Sequence, residues 1–119
     1  MLKLYGIPNC DTVKRARAWL AAARVEYRFH DFKREGVPDR ALDRGLAEAG
    51  VDRVVNRQGT AWRKLDEAAR AGVVDAASAK ALLLGQPSVI KRPVVEWADG
   101  VLTVGFDENA WSQRAAALR

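Results

Sequence analysis

One cysteine, one methionine and one histidine in 119 residues leave this chain few soft ligands. Without a cysteine or histidine cluster no zinc site is expected, and a single cysteine excludes an internal disulfide. Disulfide-free chains are the rule in reducing compartments, so a cytoplasmic location is expected. No apolar run approaches the ~20 residues that span a bilayer, and no membrane association is expected. Met1-Leu-Lys-Leu-Tyr5 enters a strand at once, which leaves no room for a signal peptide. Blocks of like charge, internal repeats and low-complexity segments are also missing. Basic residues do not alternate with aromatics as on a single-strand platform, so direct nucleic-acid binding is not expected.

What remains is an ordinary globular composition, 49% hydrophobic, with a net charge of +5 and a pI near 9.8. The length fits one domain, residues 1–119, with a substantial core. The positive charge favours anionic partners, of which an acidic protein surface or a small anion is preferred over a nucleic acid. It is scattered over Lys14, Arg15, Arg17, Lys33, Arg34, Arg57, Arg63, Lys64, Lys91 and Arg92.

Leu2–Tyr5 reads as a short strand, and Gly6, Pro8 and Asn9 punctuate a turn. From Asp11 to about Ala23, Val13, Ala16, Leu20 and Ala23 recur at helical spacing, with the basic residues mostly off that face. Tyr27–Phe32 alternates and is rich in aromatics, a second strand. Strand, helix and strand within about thirty residues argue for a βαβ unit with parallel strands. Residues 38–85 read as an all-helical insert: a helix from Asp39 ended by Gly50, a short turn over Val51–Val55, a helical piece over Trp62–Ala71, and a helix from Asp75 to Gly85. Pro87–Trp97 returns to extended structure, broken by Pro93. Ala98-Asp-Gly100 is a hairpin signal, Val101–Phe106 the returning strand, and Asp107 the cap of a last helix that includes Leu118. This order predicts an α/β fold with a small mixed four-stranded sheet. His30 lies in a strand and is expected to be structural, as are Trp62, Trp97 and Trp111 in the core. Pro93 cannot donate to a ladder and is placed at a strand start, where a cis bond would form a tight backbone feature.

Cys10 falls where the first strand, the proline turn and the first helix meet, at or beside the helix N-cap. Free N–H groups converge there and the helix dipole favours negative charge. Such a placement lowers a thiol pKa from its reference of ~8.5, and Lys14 and Arg15 on the first turns would act in the same sense. The alternative for a lone cysteine is a small buried hydrophobe. The coincidence of strand, proline turn, cysteine and basic helix start favours a reactive thiol.

Three separated stretches carry a resemblance: Leu4-Tyr-Gly-Ile-Pro-Asn-Cys-Asp-Thr-Val-Lys-Arg-Ala16, Gly59-Thr-Ala-Trp-Arg-Lys-Leu-Asp-Glu67 and Ile90-Lys-Arg-Pro-Val94. In this order they resemble the arsenate reductase (ArsC)/Spx family, and within it the YffB-like branch. The resemblance implies a thioredoxin-like fold (βαβ then ββα) with a helical insert, one redox cysteine at Cys10, and a cis proline at Pro93. Arg92 matches the arginine that in arsenate reductases helps hold the oxyanion beside the sulfur. Gly6 stands where those enzymes carry a histidine, and Gly105 where they carry another arginine. A further arginine of the insert aligns on Asn56, with Arg57 one position away. One clear arginine of three implies poor arsenate reduction.

Two functions follow from the resemblance. In the first, the chain is a glutathione-dependent thiol reductase of arsenate-reductase type. Cys10 and Arg92 are then catalytic, and Asn9, Asp11, Lys14, Arg57 and Pro93 line the substrate site. No cofactor or metal is bound and glutathione is the co-substrate, because a nucleophile without a resolving cysteine needs an external thiol. In the second, the chain is a regulator like Spx, which binds the RNA polymerase α subunit; Val104-Gly-Phe-Asp-Glu108 resembles its last strand and turn. Most Spx proteins switch through a Cys-x-x-Cys disulfide, whereas Cys10-Asp-Thr-Val13 has no second cysteine. A monomer is expected in either case.

Overall fold

The computed structural model describes residues 1–117; Leu118, assigned above to the last helix, lies outside them. The chain forms two compact units, one made of Met1–Asp31 together with the segment from Arg92 onward, the other of Phe32–Lys91.

The first unit holds the sheet. Strands β1 (Leu2–Gly6), β2 (Tyr27–Asp31), β3 (Val94–Glu96) and β4 (Leu102–Val104) lie in the order β2-β1-β3-β4. β1 runs parallel to β2, as a βαβ crossover requires, and antiparallel to β3, which pairs antiparallel with β4. With helices α1 (Asp11–Ala22) and α8 (Glu108–Ala117) this is the thioredoxin-like arrangement that the element order predicts. The helical spacing of Val13, Ala16 and Leu20 buries all three against Leu2 and Leu4 of β1, Val95 of β3, and Trp97. Trp111 of α8 joins the same cluster, and the rings of Trp19, Trp97 and Phe106 all meet it edge-on, 4.7–5.6 Å between centroids. Such edge-to-face contacts are favourable beyond the area they bury.

Helix α1 ends in a Schellman motif. The Val25 N–H donates to the Leu20 carbonyl and the Arg24 N–H to that of Ala21. Val25 also packs on the cluster that contains Leu20, the apolar contact that usually accompanies this motif. The C′ position, where glycine is usual, is held by Arg24 at φ 56°.

The second unit is helical: α2 (Phe32–Glu35), α3 (Asp39–Glu48), α4 (Val51–Val54), α5 (Thr60–Arg63), α6 (Glu67–Ala71) and α7 (Ala76–Gly85), then a 3-10 turn over Pro87–Val89. Its buried residues include Leu42 and Leu46 of α3, Val54, Val55, Leu83 of α7, Val89 and Ile90. Val55 and Ile90 form an antiparallel bridge, and the Lys91 N–H donates to the Val54 carbonyl at 2.7 Å.

Five local readings differ from the sequence expectation. The returning strand covers Leu102–Val104 and not Val101–Phe106, since Gly105 turns left-handed after it. Phe32 starts a helical turn instead of ending β2. The single helical piece over Trp62–Ala71 divides, because the Asp66 carboxylate accepts the Ala69 N–H and so caps a new helix, α6. Pro87–Trp97 is only partly extended: Pro87 opens a 3-10 turn, and β3 is three residues long. Trp62 is half-buried instead of core, with the Arg57 guanidinium 5.5 Å above its ring. Among the described residues no helix is long and apolar enough to cross a membrane.

The Arg24 position generates a stability prediction. A left-handed L-residue costs roughly 1–2 kcal/mol, while glycine loses an extra ~0.5–1 kcal/mol of chain entropy. Arg24→Gly should therefore stabilise the protein by about 0.5–1 kcal/mol in urea unfolding. A loss of stability would contradict this account of the helix end.

Candidate functional site

The register of the sheet brings the candidate site together. Tyr5 near the end of β1 pairs with Val94 at the start of β3, so the turn after β1 and the segment before β3 emerge at the same end of the sheet. The first carries Cys10, the second Arg92 and Pro93. At the opposite end of β1 and α1 is a cavity of about 470 Å³, lined by residues that include Leu2, Val25 and Trp97. It touches neither Cys10 nor Arg92.

Cys10 is the N-cap of α1, in extended conformation at φ −134° and ψ 124°, and its carbonyl accepts the Lys14 N–H at 2.9 Å. The half-buried thiol closes no side-chain cap bond of the serine type. Ionisation changes the balance, because a sulfur anion attracts the N–H groups that a thiol leaves idle. Partial burial by itself pushes the Cys10 pKa up. The Val13 N–H, the Arg92 guanidinium, which both hydrogen-bonds the sulfur and attracts it by charge, and the Thr12 N–H together outweigh that burial. The thiol is thus held below its ordinary value.

Arg92 is half-buried and joined to a fully buried Pro93 by a cis peptide bond. The Pro93 carbonyl accepts the Gly105 N–H at 2.8 Å. Gly105 is buried and left-handed, at φ 90°. Gly6 has a different constraint: a Cβ there would stand 2.9 Å from Val13 Cγ2, closer than real Cβ contacts allow. Val13 itself is fully buried, so β1 and α1 meet across a glycine.

The other residues singled out in the sequence are distributed unevenly. Asn9, Asp11 and Lys14 are exposed around Cys10. The side-chain cation that lowers the thiol pKa is Arg92, and not Lys14 or Arg15, which the sequence reading singles out. Arg15 instead lies over the Phe106 ring, 5.8 Å from its centroid. Arg57 belongs to the helical unit, where it is exposed, pairs with Asp52 and covers Trp62. His30 sits in β2 with its ring 5.1 Å from that of Tyr5, a sheet contact. Among the described residues no group of three histidine, cysteine or acidic side chains is placed to hold a metal.

Sequence reasoning missed the individual N–H donors of Thr12 and Val13 and the roles of the two glycines. A signal for Gly105 exists: a glycine ending a hairpin strand, followed by a bulky aromatic, is a candidate for positive φ. Nothing in the sequence marks the packing of Gly6 on Val13.

A thioredoxin-like unit with an N-capping cysteine and an arginine–cis-proline step beside it defines a class of single-cysteine thioredoxin-like proteins. The chain belongs to the ArsC family, whose sequence profile matches residues 5–114. It is similar to the YffB protein of known structure, at 49% identity and a TM-score of 0.89 over 95% of this chain and 97% of the other. An arsenate reductase (ArsC) related protein from Brucella melitensis is 48% identical, with a TM-score of 0.72 over 94% and 92%. The global transcriptional regulator Spx of Streptococcus pyogenes is 25% identical over 115 residues, 92% of this chain and 81% of the relative.

The lowered thiol pKa has a thermodynamic consequence. Between the folded pKa and the ordinary value near 9, the native thiol is ionised while the unfolded one is protonated. Stability rises with pH wherever the unfolded state binds more protons. The unfolding free energy of the wild type minus that of Cys10→Ser should therefore be flat below the folded pKa, rise through the window, and level off above about 9. Urea unfolding of both proteins across pH checks this; a difference that falls with pH would contradict it.

Proposed function

We propose that this protein is a glutathione-dependent thiol reductase of arsenate-reductase type, with Cys10 as nucleophile. One observation carries the reading. The sulfur of the only cysteine faces two helix N-terminal N–H groups and is hydrogen-bonded by Arg92. The Cys10 thiolate attacks the glutathione sulfur of a disulfide, forming a Cys10–glutathione disulfide and expelling the other thiolate, which takes up a proton. With no second cysteine in the chain, a glutathione thiolate from solution then attacks the glutathione sulfur of that adduct. Oxidised glutathione leaves and the Cys10 thiolate is restored. The net reaction consumes one glutathione and returns one reduced thiol. Lys14, exposed one turn along α1, is a contact for a glutathione carboxylate; Asn9 and Asp11 flank the nucleophile, and Pro93 forms the wall beside Arg92.

Arsenate itself is a poor substrate in this reading. A thiolate approaching an oxyanion needs several fixed positive donors to offset the negative charge, and among the described residues Arg92 is the side-chain cation that hydrogen-bonds this sulfur. The positions of the histidine and further arginine of the arsenate-reducing members fall on Gly6 and Gly105. The first is closed by Val13 and the second strained for any side chain. A disulfide carries no charge at the sulfur attacked and makes no such demand.

A second reading is supported by the Spx similarity across 92% of the chain: a regulator that docks on the RNA polymerase α subunit. In that reading Cys10 has no partner for an internal switch.

Incubation of the reduced protein with glutathione disulfide should add one glutathione, seen by intact mass, to the wild type and none to Cys10→Ser. Excess reduced glutathione should remove it. Arg92→Ala, if folded by circular dichroism, should bind glutathione roughly tenfold more weakly or worse, given the ~1.5–3 kcal/mol of a charge-assisted contact. Absence of any adduct, with retention on purified polymerase α subunit, would move the assignment to the regulator. Robust arsenate turnover by the wild type would refute the argument from the two glycines.

A further inference from the structure

β3 and β4 pair Val94 with Val104 and Val95 with Thr103. The next pair along is Pro93 opposite Gly105, and in an antiparallel ladder it would exchange two hydrogen bonds. Pro93 has no N–H, so only one can form, from the Gly105 N–H to the Pro93 carbonyl at 2.8 Å. This single rung closes the ladder immediately beside Arg92, the residue whose guanidinium reaches the Cys10 sulfur. Gly105 reaches it with a backbone at φ 90°, a conformation that favours glycine over any L side chain. After Gly105 the chain leaves the sheet for α8.

From this geometry we infer that Gly105 is a positioning residue for the nucleophile. Its left-handed backbone aims one N–H at the Pro93 carbonyl, which fixes the peptide preceding β3 and with it the Arg92 guanidinium against the Cys10 sulfur. Gly105 touches no substrate; it acts through Arg92. The inference rests on the reading of Cys10 and Arg92 as the working pair, and it explains why an empty side chain occupies a buried strand end beside that pair. Alanine at 105 would strain the turn and displace the rung. Asparagine, which tolerates left-handed backbone better than other L-residues, would preserve it.

The test is the pH profile of Cys10 alkylation by iodoacetamide in proteins shown to be folded by circular dichroism. Arg92→Ala should move the midpoint up. Gly105→Ala should move it in the same direction, slowing alkylation about threefold or more at a pH below the wild-type midpoint. Gly105→Asn should leave the midpoint close to that of the wild type. In the Arg92→Ala background Gly105→Ala should add no further shift, since its effect passes through the guanidinium. Where Gly105→Ala does not fold, replacing Gly105 by glycolate, an ester that deletes only the N–H, should give the same upward shift. A midpoint unchanged by Gly105→Ala or by the ester, while Arg92→Ala moves it, would overturn the positioning role. A midpoint unmoved by Arg92→Ala would instead remove the working pair on which both readings stand.

Discussion

A sulfur that is half-buried and yet has its pKa held below the ordinary thiol value is the constraint around which the sheet unit is arranged. Burial opposes charge on Cys10, and only fixed donors can reverse that. Two of them, the N–H groups of Thr12 and Val13, come with the start of α1 and need nothing beyond the helix. The third, Arg92, is remote in the chain and is delivered by strand pairing, since β3 runs antiparallel to β1 and starts where β1 ends. The thiol therefore depends on the sheet being correctly registered, and its ionisation reports on that register. A one-residue slip in β3 would turn the side chains of the strand to the opposite face.

The two glycines around the site belong to the same logic. Gly6 lets β1 approach Val13, so that the turn and α1 can follow closely on the strand. Gly105 lets β4 end on a hydrogen bond to Pro93. Both positions leave the sulfur with donors but without additional side-chain charge. That arrangement is the basis for proposing a neutral sulfur electrophile, and not a tetrahedral oxyanion, as the substrate, since an oxyanion would need several fixed positive donors. Membership of the ArsC family and similarity to Spx set the range of functions, thiol reductase or Spx-like regulator, within which the proposal falls.

Much of this was legible in the residues. The spacing of Val13, Ala16 and Leu20 marks the buried face of α1, and Asp-Gly100 marks the β3–β4 hairpin. Cys10 at a strand-to-helix turn announces itself because glycine, proline and asparagine cluster just before it. Other features depend on tertiary context and leave weaker traces. The split between α5 and α6 turns on one carboxylate choosing a backbone N–H, and helix propensity through Leu65-Asp-Glu does not reveal that choice. Charge near in sequence proved a poor guide to the thiol: the guanidinium that hydrogen-bonds the sulfur is that of Arg92, far along the chain, and not that of a residue on the first turns of α1. Long basic side chains on an exposed helix face point to solvent or to an aromatic ring, as Arg15 does over Phe106. Sequence proximity does not predict which cation a buried group will meet.

The central claim is that fixed donors outweigh burial at Cys10. Titration of thiolate ultraviolet absorbance against pH, with Cys10→Ser as the blank, measures it directly. The account predicts a single midpoint below the free-cysteine value of ~8.5. A midpoint at or above that value would mean that burial wins, and that Cys10 is a small core residue and not a nucleophile.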